Sequence, residues 1–336
     1  MTPPRLSFEH LVRLSDGVGL FEHAELTQRR VEHGYCVDDV ARGLVVTARE
    51  PDPEPRTAAL SRTYLTFLAR AQDPAGGVRN RLGIERTWQD GPSVEDCWGR
   101  ALWGFGTAVA RAPRFGDEAL ALFEVSAGRR SPHTRAMAFA ALGAAEVLAV
   151  HPGHRPARDL LADAARLIGS PSDDPSWRWP ERRLRYANAA LPEALLAAGS
   201  ILDEPVWLSD GLIMLRWLLD IETDGDHLSV TPAGGWSVGE PRPGFDQQPI
   251  EVAALADACA RAHDVTGEPA WRDALLRCDA WFDGANDLGI PLVDADSGGG
   301  CDGLEADGRN ENQGAESTLA MLAVRQQGRR LLVAVS

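Results

Sequence analysis

The chain has 336 residues, 44% of them hydrophobic and 25% charged, with 34 basic against 49 acidic side chains and a formal net charge of -15. That composition is that of a folded globular chain able to bury a large core, and its negative balance excludes nucleic acid and anionic membrane surfaces as partners, because both would repel it. No segment approaches the roughly 18 to 20 apolar residues of a membrane span, Met1-Thr2-Pro3-Pro4-Arg5 lacks the apolar stretch of a signal peptide, and the five scattered cysteines suggest neither a disulfide framework nor a zinc site, so a cytoplasmic protein with reduced thiols is expected.

Residues 7–33 hold a short helical pattern and then the turn Asp16-Gly17-Val18-Gly19, which reads as an N-terminal wrap or lid (1–33) on a single domain spanning 1–336. Gly34-Tyr35-Cys36-Val37-Asp38-Asp39 leads into a helix in which Val40, Ala41, Leu44, Val45 and Ala48 recur at helical spacing, and Pro51, Pro53 and Pro55 end it. A second helix, about 57–72, carries Leu60, Tyr64, Phe67 and Leu68 and stops at Asp73-Pro74-Ala75-Gly76-Gly77. The two make a helical hairpin.

The hairpin recurs. First helices are anchored at Asp38, Asp96, Arg135, Glu193, Glu251 and Glu316, at intervals of 58, 39, 58, 58 and 65 residues, with second helices at 116–129, 155–168, 207–221 and 270–282. After Glu316 a last helix is expected to run to about Arg325. Helix pairs at such a period stack into solenoids or close into toroids. Six pairs predict an all-α (α/α)6 barrel with inner and outer rings, an open solenoid being the alternative. The small residues of Ala136-Met137-Ala138-Phe139-Ala140-Ala141-Leu142-Gly143-Ala144-Ala145 suit close helix approach at a crowded centre.

Links within a hairpin are short and proline-rich, whereas four links back to the next first helix are long: 73–94, 169–190, 223–248 and 284–312. In a toroid these loops and the first-helix N-termini gather at one mouth, and long loops in a compact domain bind or catalyse. The helix starts carry Asp38, Asp39 and Arg42; Glu95, Asp96 and Arg100; Tyr186 and Asn188; Asp246, Gln247, Gln248 and Glu251; and Glu311, Asn312, Gln313 and Glu316. Each acid alone reads equally as a cap or as an arginine partner one turn away, but five sets at one mouth point to a site.

Trp88, Trp177, Trp179 and Trp236 lie in the long loops, and flat rings beside carboxylates and amides suit a sugar, whose C–H faces pack on aromatics while its hydroxyls take paired hydrogen bonds. The alternative is that these rings plug their loops onto the core, as expected for Trp98, Trp103, Trp207, Trp217, Trp271 and Trp281 at helical spacing. Glycoside cleavage needs one carboxylic acid to protonate the leaving oxygen and a second carboxylate as base or nucleophile. The candidates are Asp39, Glu95, Asp96, Asp246 and Glu311, with Tyr35 and the remaining mouth residues as sugar contacts.

Asp294 to Glu305 matches calcium-loop positions 1, 3, 6, 9 and 12, but it has glycine at position 5, cysteine at position 8 and no preceding helix, so it reads as a glycine-rich mouth loop. The eight histidines show no metal spacing, and no phosphate-binding or nucleophile-elbow motif is present, so neither a metal nor a cofactor is expected.

The runs Gly34-Tyr35-Cys36-Val37-Asp38-Asp39, Glu95-Asp96-Cys97-Trp98-Gly99-Arg100-Ala101-Leu102-Trp103, Phe245-Asp246-Gln247-Gln248-Pro249-Ile250-Glu251 and Asn310-Glu311-Asn312-Gln313-Gly314-Ala315-Glu316-Ser317 resemble those of the six-hairpin glycosidase superfamily. More narrowly, they are similar to a bacterial family associated with glycosyltransferases. The resemblance implies an (α/α)6 fold and work on carbohydrate. Two positions depart from it: Ala187 stands where an acid is expected between Tyr186 and Asn188, and Val40 where asparagine is expected after the acid pair. The expected activity is hydrolysis of an oligosaccharide or glycoside. The alternatives are a sugar epimerase or isomerase leaning on His23, His33 or His133, and a non-catalytic glycan-binding partner of a glycosyltransferase.

Overall fold

The computed structural model describes residues 5–334; the first four residues of the expected wrap and the last two of the chain lie outside it. The described residues form helices α1 (Glu9–Leu14), α2 (Val37–Arg49), α3 (Pro55–Ala71), α4 (Asp96–Arg111), α5 (Gly116–Ala127) and α6 (Thr134–Val150). They continue with α7 (Arg155–Ile168), α8 (Ala190–Leu202), α9 (Pro205–Ile221), α10 (Pro249–Thr266), α11 (Pro269–Phe282) and α12 (Ala315–Ala334).

The even-numbered helices are the inner ring: α2 packs on α4, α4 on α6, α6 on α8, α8 on α10, α10 on α12, and α12 returns to α2. The hairpin partners α3, α5, α7, α9 and α11 pack on them, and α1, which packs on α12 and α3, takes the sixth outer place. The ring is therefore closed, an (α/α)6 barrel and not an open solenoid.

Local chemistry explains the elements. Proline occupies the first turn of α3, α7, α9, α10 and α11, where no N–H is needed and the fixed φ suits a helix start. Gly99 and Gly106 of α4 sit against the Ala136 and Gly143 backbone of α6, and Gly143 against the Leu102 backbone of α4, so a Cβ at any of them would overlap a carbonyl oxygen across the interface. This is where the small-residue run expected to allow close approach does so.

Two expectations are corrected. Helix α12 does not stop near Arg325 but continues to Ala334, because its polar last turns meet partners: Arg325 binds Asp279 and Asp283, each at 2.6 Å, and Arg330 binds Asp264 at 2.9 Å. The long loops also contain short antiparallel ribbons, Tyr35–Cys36 with Arg81–Leu82, Arg183–Leu184 with Trp236–Ser237, and Gly303–Glu305 with Gly308–Asn310. Such two- and three-residue strands are too short to carry an alternating pattern.

All inner helices start at one end of the barrel. Arg100 of α4 lies 3.4 Å from Asp38 of α2, and Arg42 of α2 lies 2.7 Å from Glu316 of α12, all in first or second turns. At the opposite end Arg49 closes α2 onto Asp257 of α10 at 2.9 Å. Among the described residues no helix is long and apolar enough to cross a membrane.

Candidate active site

The mouth holds a polar cavity of about 310 Å³. Its floor is Asp38, Asp39 and Arg42 from α2, Arg100 from α4, and Glu316 and Ser317 from α12; Glu22, His23, Asn80, Arg81, Gln248 and Asp302 from the loops complete it. Below it, Arg42, Arg100 and Glu316 also rim a narrow, mainly apolar waist of about 50 Å³ lined by Trp103, Phe139, Ile250 and Leu319.

Charge is arranged unevenly on the floor. The Asp39 carboxylate is ion-paired with Arg42, one helical turn on, and is 2% exposed. Burial pushes its carboxyl up to about 6 against the opposing pull of Arg42, and Glu316 adds to the rise. Burial likewise raises Asp302, while the Gly314 N–H that donates to it at 2.8 Å and the Ser317 side chain pull it back. Arg100 is 4% exposed, stacks on the Phe139 ring at 4.3 Å and makes no hydrogen bond among the described residues, with Asp38 at 3.4 Å and Asp96 at 3.9 Å. A buried guanidinium left without acceptors is costly, so this one is suited to taking acceptors from a ligand.

The expected site residues divide into several groups. Asp38, Asp39, Arg42, Arg100, Gln248 and Glu316 converge on the cavity. Asp96 lies beside it, 3.9 Å from Arg100, and accepts a 2.5 Å hydrogen bond from the exposed Tyr186 hydroxyl. Glu95 faces solvent, 3.3 Å from His133. Asp246 is exposed at the start of the segment leading into α10, and Glu311 is exposed and paired with Arg309 at 3.1 Å; neither lines the cavity.

Several polar residues serve the framework instead. Asn188 and Glu251 are buried on one another, Glu251 accepting from the Ala187 and Asn188 backbone N–H groups and from the Asn188 amide. Burial raises Glu251 to about 8, and the charge of Glu222 adds to it. Gln247 is buried and donates to Asp287 and to the Gly244 carbonyl. Gln313 holds Asp294 and Ser297, and the Asn312 amide oxygen accepts from the Leu26 N–H. Tyr35 is 2% exposed, stacks on Phe21 and donates to Asp16.

The loop tryptophans pack on one another and on the core. Trp177 contacts Trp217 at 5.3 Å and Trp236 at 5.2 Å, Trp179 contacts Trp217 at 6.0 Å, and Trp88 lies edge-on to Phe67 at 5.7 Å. Rings that read as exposed in the sequence thus anchor their loops. A folded loop of 20 or so residues needs an apolar plug of its own, and here the tryptophans are that plug.

Sequence reasoning offered His23 only for the epimerase alternative, and did not select Glu22, Asn80, Arg81, Asp302 or Ser317, nor Trp103 and Phe139 of the waist. The only signal was their place in mouth loops or on inner helices. Ala187, where an acid was expected, lines the waist, with φ of 46°. Val40 is fully buried.

Two groups bring three metal-type ligand atoms within 4.8 Å of one another: Glu22, Cys36 and Asp39, and Asp224, His227 and Asp287. In the first, Arg81 takes Glu22 and Arg42 takes Asp39, and burial holds the Cys36 thiol well above its usual range and so protonated. In the second, His227 is 3.2 Å from Asp287, which also takes Gln247. The acids of the 294–305 loop turn to separate partners: Asp294 to Gln313, Asp302 to Gly314 and Glu305 to Asn310.

Comparison with solved structures finds the same ring in sugar-processing enzymes. A sugar epimerase from a ruminal bacterium superposes with a TM-score of 0.73 at 12% identity, covering 98% of this chain and 96% of its own. What the two chains share is the fold, a closed ring of six helical hairpins. Cellobiose 2-epimerase from Bacillus thermoamylovorans follows at a TM-score of 0.70 and 11% identity, covering 96% and 95% of the two chains. The family 76 α-mannanase of Bacteroides thetaiotaomicron gives 0.65 and 10%, covering 96% and 92%. No protein-family model and no curated protein matches the chain.

Proposed function

We propose that this six-hairpin protein is a carbohydrate-active enzyme whose mouth cavity hydrolyses a glycosidic bond. The observation that supports it is the convergence of Asp38, Asp39, Asp302 and Glu316 on one cavity with unequal environments: Asp39 and Asp302 are raised by burial, and Asp38 and Glu316 face arginines. Carboxyl groups whose surroundings separate their proton affinities can divide the acid and base roles. In this reading Asp39, the carboxyl raised to about 6, gives its proton to the glycosidic oxygen as the alcohol leaves. Asp302, raised less by its surroundings, takes the proton of the attacking water. Arg42 and Arg100 donate to sugar oxygens, and Asp96 with Tyr186 holds the flank.

Asp39→Asn, Asp302→Asn and Asp96→Asn, each assayed on gluco- and manno-configured oligosaccharides, test the reading. Retention of full turnover by both Asp39→Asn and Asp302→Asn would sink it. A second reading, epimerisation or isomerisation, is favoured by one observation: His23 stands at the cavity wall, 3.6 Å from Glu22, where a base could act on a sugar C–H. Product analysis by NMR separates the two, since hydrolysis releases a new reducing end and an isomerase does not.

A further inference from the structure

The cavity is walled unevenly around its rim. On the α12 and α2 side the strap formed by residues 15–34 crosses the barrel end and is fastened down. The Ala315 N–H donates to the Glu22 carbonyl at 3.0 Å, the Gln313 N–H to the Leu26 carbonyl at 2.9 Å, and the Leu26 N–H to the Asn312 amide oxygen at 2.9 Å. Arg81 of the 72–95 loop ion-pairs with Glu22 and joins that loop to the strap, so Glu22, His23 and Arg81 form one continuous wall.

Across the ring the rim is low. The link from α5 to α6 is only residues 128–133, the one short link at this end of the barrel. Beside it lie three exposed side chains: Glu95 and His133, 64% and 53% exposed and 3.3 Å apart, and Tyr186, 37% exposed. The Tyr186 ring is held in place, its hydroxyl on Asp96 at 2.5 Å and the Arg135 guanidinium 5.3 Å from its centroid. It is the aromatic candidate that stays exposed beside the cavity, whereas Trp177 and Trp179 are buried.

We infer that the mouth is a blind pocket for the terminal residue of a saccharide, with Tyr186 as the platform on which the next residue lies as the chain leaves over the α5–α6 link. This rests on the carbohydrate reading above. A sugar chain passing through needs two open sides, and the strap closes one. A cavity of about 310 Å³ lies at the lower end of the roughly 300–1,000 Å³ of small-ligand sites, room for a terminal unit and not for a length of chain. An aromatic ring fixed by a hydrogen bond at its tip offers one face to the C–H side of a pyranose at little conformational cost.

The test is binding by calorimetry with cello- and manno-oligosaccharides of three and of about thirty units, compared at equal mass. A protein that binds ends sees about tenfold fewer sites in the longer sample, so apparent affinity per mass falls about tenfold; equal affinity per mass overturns the inference and leaves the carbohydrate reading standing. Tyr186→Ala is expected to weaken the trisaccharide about five- to tenfold and Tyr186→Phe to restore most of it. An unchanged trisaccharide affinity in Tyr186→Ala overturns the platform. Absence of binding to every saccharide overturns both the carbohydrate reading and this inference.

Discussion

Glu222 offers a measurable test of how the barrel handles a buried charge. It closes α9, is fully buried, and accepts one 2.9 Å hydrogen bond from the Thr231 N–H, while its second oxygen has no partner among the described residues. Burial pushes its carboxyl up to about 7, with the Thr231 hydrogen bonds pulling the other way. The folded protein therefore keeps a proton that the unfolded chain, with an ordinary value near 4.5, has already lost. Stability is fully present below about pH 4.5, declines as pH rises toward 7, and is flat above it. With about 1.4 kcal/mol per pH unit for one proton, the total is on the order of 3 kcal/mol. Glu222→Gln keeps the acceptor for Thr231 and cannot ionise. Urea unfolding followed by tryptophan fluorescence at pH 5, 6, 7 and 8 should show the variant gaining on the wild type by roughly 3 kcal/mol across that range. A difference between the two proteins that stays constant within about 0.5 kcal/mol would refute the reasoning.

Three other expectations follow from the packing and the floor charges. Gly143→Ala places a methyl group against the Leu102 carbonyl and should cost about 3 kcal/mol or more in the same unfolding assay. Trp177→Ala should cost about 3 to 5 kcal/mol yet leave saccharide binding within about twofold, since the ring is a loop plug; loss of binding in a fully folded variant would make it a sugar contact instead. Asp39→Asn should lower kcat by about two to four orders of magnitude and abolish the fall of activity above about pH 6 that ionisation of Asp39 gives the wild type. A pH profile with the same fall in both proteins would remove Asp39 from the chemistry.

Much of the ring was legible because its signal is periodic. Every inner helix starts within a few residues of its anchor: α2 at Val37 beside Asp38, α6 at Thr134 beside Arg135, α12 at Ala315 beside Glu316. Apolar spacing and proline-marked links are local properties, so they survive in a single sequence. The sixth outer helix was harder to see, because α1 sits at the opposite end of the chain from its neighbour α12.

The site was legible only in part, for a different reason. An acid at a helix start looks the same whether it faces the axis, as Asp38 does, or solvent, as Glu95 does, since that depends on the loops folded over it. Arg81 reaches the cavity by ribbon register and Asp302 stands just before a ribbon, which two- or three-residue strands do not advertise. The tryptophans were ambiguous in the sequence because polar loops and aromatic rings together suit both a sugar cleft and a loop that needs an anchor.

The ion pair between Arg42 and Glu316 joins the first inner helix to the last. During synthesis from the N-terminus, α2 emerges long before α12, so the floor of the pocket has no existence until α12 docks and the circle shuts. Asp39 and Arg42 then wait as exposed, mutually paired charges without their third partner. A chain cut before α12 should accordingly lose the floor that α12 completes, and any partly folded form on the way lacks the finished pocket.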